Sequence, residues 1–157
     1  MKFVSFLNND QESFGVLRNS DLHPVLEVFK KECPDLKAVL GSQKIKDLKT
    51  FCEEKPIPLS KVSLLPPIPN PGKIICAGMN YRKPYPVDGV VPPDPGNVVI
   101  FARHTETLVG HGADLERPRG EAADTFDFEG EIVAVIGKSG RFVSPADALQ
   151  HLSLIHI

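Results

Sequence analysis

Two glutamates separated by one glycine are the residues of this sequence whose types and spacing point most clearly to chemistry. Glu129 and Glu131 precede an apolar, β-branched run, residues 132–136, that predicts a buried strand. Because side chains two apart on a strand share a face, both carboxylates are expected to project together. They would repel each other unless a proton or a cation lies between them. The pair therefore predicts either a site for a hard divalent cation such as Mg²⁺ or a solvated pair at an exposed strand end.

The composition excludes some classes of partner. The chain has 157 residues, of which 41% are apolar, and 18 lysines and arginines oppose 20 acidic residues for a formal net charge of −2. No basic stripe is present, so neither nucleic acid nor an anionic membrane surface is an expected partner. No apolar run approaches the roughly 20 residues that span a bilayer. The length allows one ordinary domain, or a small domain with part of a larger one.

The three cysteines predict a reducing compartment. Cys33, Cys52 and Cys76 are odd in number and lack the spacing of a metal site. A cytoplasmic location fits such cysteines best, because disulfides persist mainly in oxidising compartments. As small apolar side chains, they are also typical of core positions.

The first part of the sequence has the patterns of a small α+β unit. Alternating apolar residues predict strands, and apolar residues at helical spacing predict helices. The predicted elements are strands at 2–7 and 14–17 joined by a turn at 8–10, a helical region from Val25 to Leu40 broken at Cys33 and Pro34, and an amphipathic helix at about 43–53.

The remainder is richer in proline, glycine and short strands. We predict a small N-terminal domain at 1–62, a proline-rich linker at 63–72 and a second domain at 73–157. Within this last region the predicted elements are strands at 73–78, 98–101 and 129–136, a short strand at 108–110, a long loop at 80–96, and a helix that begins at Ser144 and continues through Leu149 toward Leu152.

Four stretches of the sequence together resemble the fumarylacetoacetate hydrolase family. They are residues 64–81, 98–103, 108–110 and 127–137. The resemblance covers residues 60–151 well and the first 60 loosely. It implies an α+β, mostly β fold, in which a small N-terminal α+β domain is followed by a partial mixed β-sandwich roll. It also implies a homodimer when the protein is full length.

The same resemblance implies a metal centre. Members of the family bind Mg²⁺, Mn²⁺ or Ca²⁺ through two glutamates and a downstream aspartate, and the glutamates carry over to Glu129 and Glu131. The third ligand, the aspartate, is absent from this chain. From Leu152 onward the sequence leaves the family pattern, so we expect a chain that is truncated at its C-terminus relative to the family.

The positions of the family's general-base pair are altered here. Many members have a histidine three residues after an Asn-Tyr pair and a glutamate three residues further on, but this sequence has Pro84 and Val87. Proline carries no titratable group, so the catalytic residue is left unassigned. Asp88 is a substitute acid or base if its loop folds inward, and a solvated loop residue otherwise. His104 and His111 lie nearby in sequence as further candidates or as ordinary loop histidines.

The activity that the resemblance implies is metal-dependent hydrolysis of a carbon–carbon bond in 2-oxo or 1,3-dioxo carboxylic acids. Tyr81 and Arg103 are the candidate substrate-binding residues, and Arg103 stands where the family usually has lysine. A guanidinium pairs well with a carboxylate, although a surface arginine is an equally open interpretation. The same scaffold also permits hydratase, isomerase or decarboxylase chemistry, and a non-catalytic fragment is the remaining hypothesis.

Overall fold

The described part of the chain is mostly β, with two short α-helices. The computed structural model describes residues 2–78, 80, 89–91, 93–94, 96–128 and 130–156. Its strands are β1 (Lys2–Asn8), β2 (Gln11–Arg18), β3 (Asp21–Pro24), β4 (Ile57–Pro58), β5 (Ser63–Leu64), β6 (Ile74–Ala77), β7 (Ile100–Arg103), β8 (Val133–Ile136) and β9 (Leu152–His156); its helices are α1 (Glu27–Lys30) and α2 (Leu36–Gly41). The chain divides into two compact units, Met1–Ile68 with Val109–Ile157 and, separately, Pro69–Leu108.

An antiparallel five-stranded sheet, in the order β4-β3-β2-β1-β5, dominates the N-terminal residues. The predicted strands and the turn between them are confirmed. Asn9 and Asp10 close the β1–β2 hairpin with φ of 48° and 61°, and Asn8 pairs with Gln11. Positive φ at both central residues is the geometry of a type I′ turn, which asparagine and aspartate tolerate well.

The hydrophobic core lies between this sheet and the helices. Its buried members come from β2, the two α-helices and the segments around them: Phe14, Val16, Val25, Phe29, Cys33, Leu36, Val39, Leu48 and Cys52. Gly15 stands inside β2 because a Cβ there would overlap the carbonyl oxygen of His23. Asp35 caps α2, since its carboxylate accepts a hydrogen bond from the Ala38 amide at 2.7 Å.

The predicted helix at 43–53 is wrong. The segment contains only a 3₁₀ turn at Asp47–Lys49, although Leu48 is buried as the helical spacing required. The reason lies in its last residues, where the Phe51 carbonyl accepts from the Leu26 amide and the Glu53 amide donates to the Pro24 carbonyl. In a helix the Glu53 amide would donate to the Lys49 carbonyl, so its bond to Pro24 shows that tertiary pairing overrides local preference here.

The first residues of the predicted linker belong to the sheet. β5 pairs with β1, the Leu65 amide donates to the Ser5 carbonyl at 2.9 Å, and the Ser5 hydroxyl donates to the Pro67 carbonyl at 2.8 Å. Proline-rich composition predicted extended chain, but the hydrogen bonds were not readable from it. The predicted domain boundaries at residues 62 and 72 stay predictions.

The second unit holds the antiparallel pair β6–β7. β6 confirms the strand that was predicted at 73–78, whereas β7 begins two residues later than predicted, at Ile100. Val98 and Val99 lie outside the strand because the backbone of Val99 bonds to Asn80 and Gly78. The described residues of the predicted loop at 80–96 have no helix or strand, and those at 108–110 form no strand.

The C-terminal residues form the antiparallel pair β8–β9, with an irregularity between Val135 and Ile136. The predicted strand is confirmed over Val133–Ile136, but its predicted burial is wrong, because Val133 and Ile136 are 53% and 65% exposed. β-branched composition favours a strand whether or not another layer covers it.

The predicted helix after Ser144 is also wrong. Its cap exists, since the Ser144 hydroxyl oxygen accepts from the Asp147 amide at 3.3 Å, but only a 3₁₀ turn follows, at Ala148–His151. The His151 carbonyl accepts from the amides of Gly137 and Lys138, and the chain then continues as β9. Among the residues that the structure describes, no helix has the length and apolar character needed to cross a membrane.

Candidate metal and substrate site

Glu131 lies two residues before β8, in irregular backbone rather than in the strand itself. Its side chain is exposed, and no described residue forms a hydrogen bond or ion pair with its carboxylate. A free carboxylate of this kind has the oxygen donors that hard divalent cations take, so Glu131 fits the predicted role in its chemistry. Glu129 lies outside the described residues.

The described residues do not assemble a complete metal centre. Among them, no group of three or more histidine, cysteine, aspartate or glutamate side chains could hold an ion. Mg²⁺ and Ca²⁺ take six or more oxygen ligands, part of which water supplies. Glu129 and Glu131 would therefore leave most of the coordination sphere to water or to groups outside the described residues.

Arg103 is the last residue of β7 and faces Ile74 across the β6–β7 pair. Its side chain is exposed, and its guanidinium lies 5.6 Å from the ring centroid of Phe101, which shares its face of the strand. The contact is a cation–π interaction that holds the charge beside the sheet. No described residue forms an ion pair with Arg103, so its donors are available for an anion.

Asn80 makes a set of contacts beside β6 and β7 that the sequence reasoning missed. Its half-buried side chain donates from Nδ2 to the carbonyls of Gly78 and Val99, each at 3.0 Å, and Oδ1 accepts from the Val99 amide at 2.7 Å. An asparagine three residues after the end of β6 is the one sequence signal for such a contact, because asparagine side chains readily replace backbone partners.

The other candidates of the sequence have local roles or lie outside the described residues. The His104 carbonyl accepts from the Thr107 hydroxyl at 2.7 Å, which opens the 3₁₀ turn Thr105–Thr107, and His111 is exposed in a turn. No described residue forms a hydrogen bond with either imidazole, and a catalytic role for His104 or His111 stays a prediction. The candidates outside it are Tyr81, Pro84, Val87 and Asp88.

Two ionisable groups of the N-terminal residues have shifted pKa values, and neither belongs to the predicted site. Burial raises the pKa of the Cys52 thiol, which donates to the Leu48 carbonyl at 3.0 Å. A buried thiol of raised pKa is not a nucleophile at neutral pH. Lys44 forms a partly exposed ion pair with Glu32, and the hydrogen bond to this carboxylate raises the pKa of Lys44.

The described residues are mostly β, and Glu131 presents an exposed carboxylate at a candidate metal site. The sequence profile described as fumarylacetoacetate (FAA) hydrolase C-terminal matches residues 73–157, more than half of the chain. The chain therefore belongs to the fumarylacetoacetate hydrolase family, and the resemblance that the motifs indicated is confirmed.

Several curated relatives align with this chain. It is 41% identical over 95 residues to oxaloacetate tautomerase YisK of Bacillus subtilis, an alignment that covers 60% of this chain and 31% of the relative. It is 39% identical over 93 residues to the mitochondrial oxaloacetate tautomerase fahd2 of Xenopus laevis, covering 59% of this chain and 28% of the relative. A longer alignment, at 26% identity, covers 98% of this chain and 52% of the fumarylacetoacetate hydrolase domain-containing protein 2 homologue of Dictyostelium discoideum.

A solved structure confirms the fold class. The fumarylacetoacetate hydrolase of Exiguobacterium antarcticum superposes with a TM-score of 0.60 at 23% identity, over 97% of this chain and 52% of that protein. At this identity the likeness concerns the fold alone. In these alignments the chain spans between 28% and 52% of each protein that it matches.

Proposed function

We propose that this chain forms part of a metal-dependent enzyme that interconverts the keto and enol forms of a 2-oxo dicarboxylic acid such as oxaloacetate. The observation that carries the proposal is the 41% identity, over 60% of this chain, to a protein named oxaloacetate tautomerase. Further tautomerases in Xenopus and mammals align over a similar share of the chain. Among the chemistries that the sequence left open, these relatives favour the isomerase.

Glu129 and Glu131 would hold the divalent cation, Mg²⁺ or Mn²⁺. The exposed carboxylate of Glu131, which pairs with no described residue, supports this assignment. When bound, such an ion supplies a Lewis acid that polarises a carbonyl and stabilises enolate charge.

Arg103 would orient the substrate by binding one of its carboxylates. Its guanidinium is exposed, has no ion pair with a described residue and is steadied by the Phe101 ring. A planar guanidinium donates two parallel hydrogen bonds to a carboxylate, which fixes its orientation as well as its position.

Carbon–carbon bond hydrolysis is less well supported than tautomerisation. Hydrolysis needs a base that activates water, and the two family positions for that base hold Pro84 and Val87. Tautomerisation only moves a proton between a carbon and an oxygen of the same molecule, so it does not need the activated water. Asp88 remains the candidate of the sequence for carrying that proton. The three free cysteines support a reducing compartment such as the cytoplasm.

The metal assignment is tested by calorimetric titration of the chain with Mn²⁺. We expect weak binding, because two carboxylates alone supply few ligands, and a further loss of about tenfold or more in Glu131→Gln. Glu121→Gln is the matched control, since Glu121 is an exposed glutamate in the 3₁₀ turn Gly120–Ala123. Equal affinities in Glu131→Gln and the unmodified chain would count against the site.

The reaction is tested by following the ultraviolet absorbance of the enol of oxaloacetate with and without the protein and Mn²⁺. Faster enol decay with no cleavage product supports the tautomerase. Cleavage of oxaloacetate into two smaller products would instead support the hydrolase. An unchanged decay rate would contradict both activities for this chain.

A further inference from the structure

Four side chains share one face of the β6–β7 pair. In the strand register Ile74 lies opposite Arg103 and Cys76 lies opposite Phe101, and residues that face each other across two strands project to the same side. Ile74 and Cys76 are half-buried, whereas Phe101 is 46% exposed and Arg103 is exposed. This face is therefore a small apolar surface that ends in a guanidinium.

The phenyl ring of Phe101 lies where it restricts the guanidinium of Arg103. The two groups are 5.6 Å apart, measured from Cζ to the ring centroid. An exposed arginine otherwise samples many rotamers, and ordering it when an anion binds costs free energy. Attraction between the cation and the ring favours the rotamers that lie beside the ring, so part of this ordering precedes binding.

The contact leaves the hydrogen-bond donors of Arg103 available. A guanidinium has its N–H donors in its own plane, and an aromatic ring does not occupy them as a carboxylate does. No described residue forms an ion pair with Arg103. A planar anion such as a carboxylate is consequently the ligand that this group fits, through two parallel hydrogen bonds.

A second arginine–phenylalanine contact shows what is particular to the first. Cζ of Arg141 lies 4.9 Å from the ring centroid of Phe142, but Phe142 is 92% exposed and belongs to neither a helix nor a strand. The backbone of Phe101, in contrast, is fixed in β7 by pairing with Cys76. Groups on regular elements hold a geometry more precisely than groups on loops, so Phe101 is the ring that fixes the position of its arginine.

We propose that Phe101 is a positioning residue, which holds the guanidinium of Arg103 for the carboxylate remote from the oxo group of a 2-oxo dicarboxylic acid. The pair then discriminates such an acid from a 2-oxo monocarboxylic acid. 2-Oxobutyrate illustrates the difference, since it has a methyl group where oxaloacetate has this carboxylate. The identity of the anion as substrate rests on the proposed function, whereas the positioning of Arg103 rests on the contacts of β7.

Titration with malonate, followed by the NMR signal of the Arg103 Nε–H group, tests the positioning without any turnover. In Phe101→Leu the dissociation constant of malonate should rise by about two- to fivefold, the size of a cation–π contribution at an exposed site. It should not rise in Phe142→Leu, the matched control, or in Phe101→Trp, which retains a ring. Equal affinities in Phe101→Leu and the unmodified chain, equal rises in Phe101→Leu and Phe101→Trp, or an Arg103 signal that malonate does not shift would each overturn the proposal.

Kinetics extend the test to specificity. If the tautomerase proposal holds, KM for oxaloacetate should rise by about two- to fivefold in Phe101→Leu with kcat unchanged, because a binding contact rather than a catalytic group is weakened. The inhibition constant of 2-oxobutyrate should not change, since this acid lacks the carboxylate that Arg103 binds. Equal changes for both acids, or a fall in kcat alone, would assign Phe101 a merely structural role and overturn the proposal.

A double-mutant cycle shows whether Phe101 acts through Arg103. In an Arg103→Gln background, Phe101→Leu should leave KM for oxaloacetate unchanged, because no guanidinium remains to be positioned. A further rise in KM in that background would contradict the proposed role. Absence of turnover in the unmodified chain would refute the proposed function, and the malonate titration would still decide the role of Phe101.

Discussion

The N-terminal residues and the family-matched residues of this chain differ in what covers their apolar side chains. In the described part of the chain, all twelve buried apolar residues lie between Phe6 and Cys52, and all large exposed apolar residues except Val28 and Phe51 lie from Ile75 onward. The N-terminal strands form a five-stranded sheet with helices packed on it, whereas β6–β7 and β8–β9 are separate two-stranded pairs. A two-stranded pair is marginally stable without another layer, so strand-forming sequence alone does not produce a core.

The largest expected difference in stability is between the alanine variants of two phenylalanines, one in each region. Phe14 is 2% exposed and Phe128 is 87% exposed. Phe14→Ala should lower the free energy of unfolding by about 3–5 kcal/mol, because it leaves a cavity in the core. Phe128→Ala should change it by less than about 0.5 kcal/mol. Urea denaturation of both variants measures the difference, and similar losses would show that the two regions are equally packed.

A smaller effect is expected from the two aspartates that stand ahead of helical turns. Asp35→Ala should cost about 1 kcal/mol, because the Ala38 amide loses its acceptor at the start of α2. Asp147→Ala should cost less than about 0.5 kcal/mol, because Asp147 is exposed and its carboxylate bonds to the side chains of Ser144 and Gln150. Thermal unfolding of the pair, with Asp35→Asn as the variant that retains the cap, decides between these expectations. A larger loss in Asp147→Ala would reverse the comparison.

The smallest expected effect is on the alkaline side of the stability profile. Burial raises the pKa of the Cys52 thiol in the folded chain above its ordinary value of 9.0. The folded state therefore holds this proton more tightly than the unfolded state does. Its contribution to stability is complete below pH 9 and is lost as the pH rises through the folded pKa, with a slope of at most about 1.4 kcal/mol per pH unit.

Denaturation at several pH values between neutrality and the alkaline range measures this slope. Cys52→Ala should have a flatter profile, although its stability at neutral pH falls because a core side chain is shortened. Equal slopes in Cys52→Ala and the unmodified chain would assign the alkaline loss to other groups.

Local patterns predicted the N-terminal sheet well because its elements depend on neighbouring residues. Alternation predicted β1 and β2, and Asn9 with Asp10 has the residue types of a tight turn. The same approach failed for the segments at 43–53 and after Ser144. In each, the end of the predicted helix pairs with distant residues instead: the Glu53 amide with the Pro24 carbonyl, and the His151 carbonyl with the Gly137 amide.

The candidate site divides in the same way. The spacing of Glu129 and Glu131 identified the acidic pair, and the motifs around it led to the family that the comparisons confirm. The Asn80 contacts were not predictable, because they join residues 19 apart in the chain. Whether Tyr81, Asp88 and Glu129 contribute to the site stays a prediction, since these residues lie outside the described part of the chain.

For this protein, the sequence alone determined the family, the strand-forming segments and the acidic pair, because these depend on residue type and short-range spacing. Only the tertiary structure decided which apolar segments are buried, where two predicted helices give way to other structure, and how Asn80 closes the end of β6. Each of these outcomes depends on hydrogen bonds or packing between residues far apart in the chain, and no local pattern encodes which distant group will be the partner.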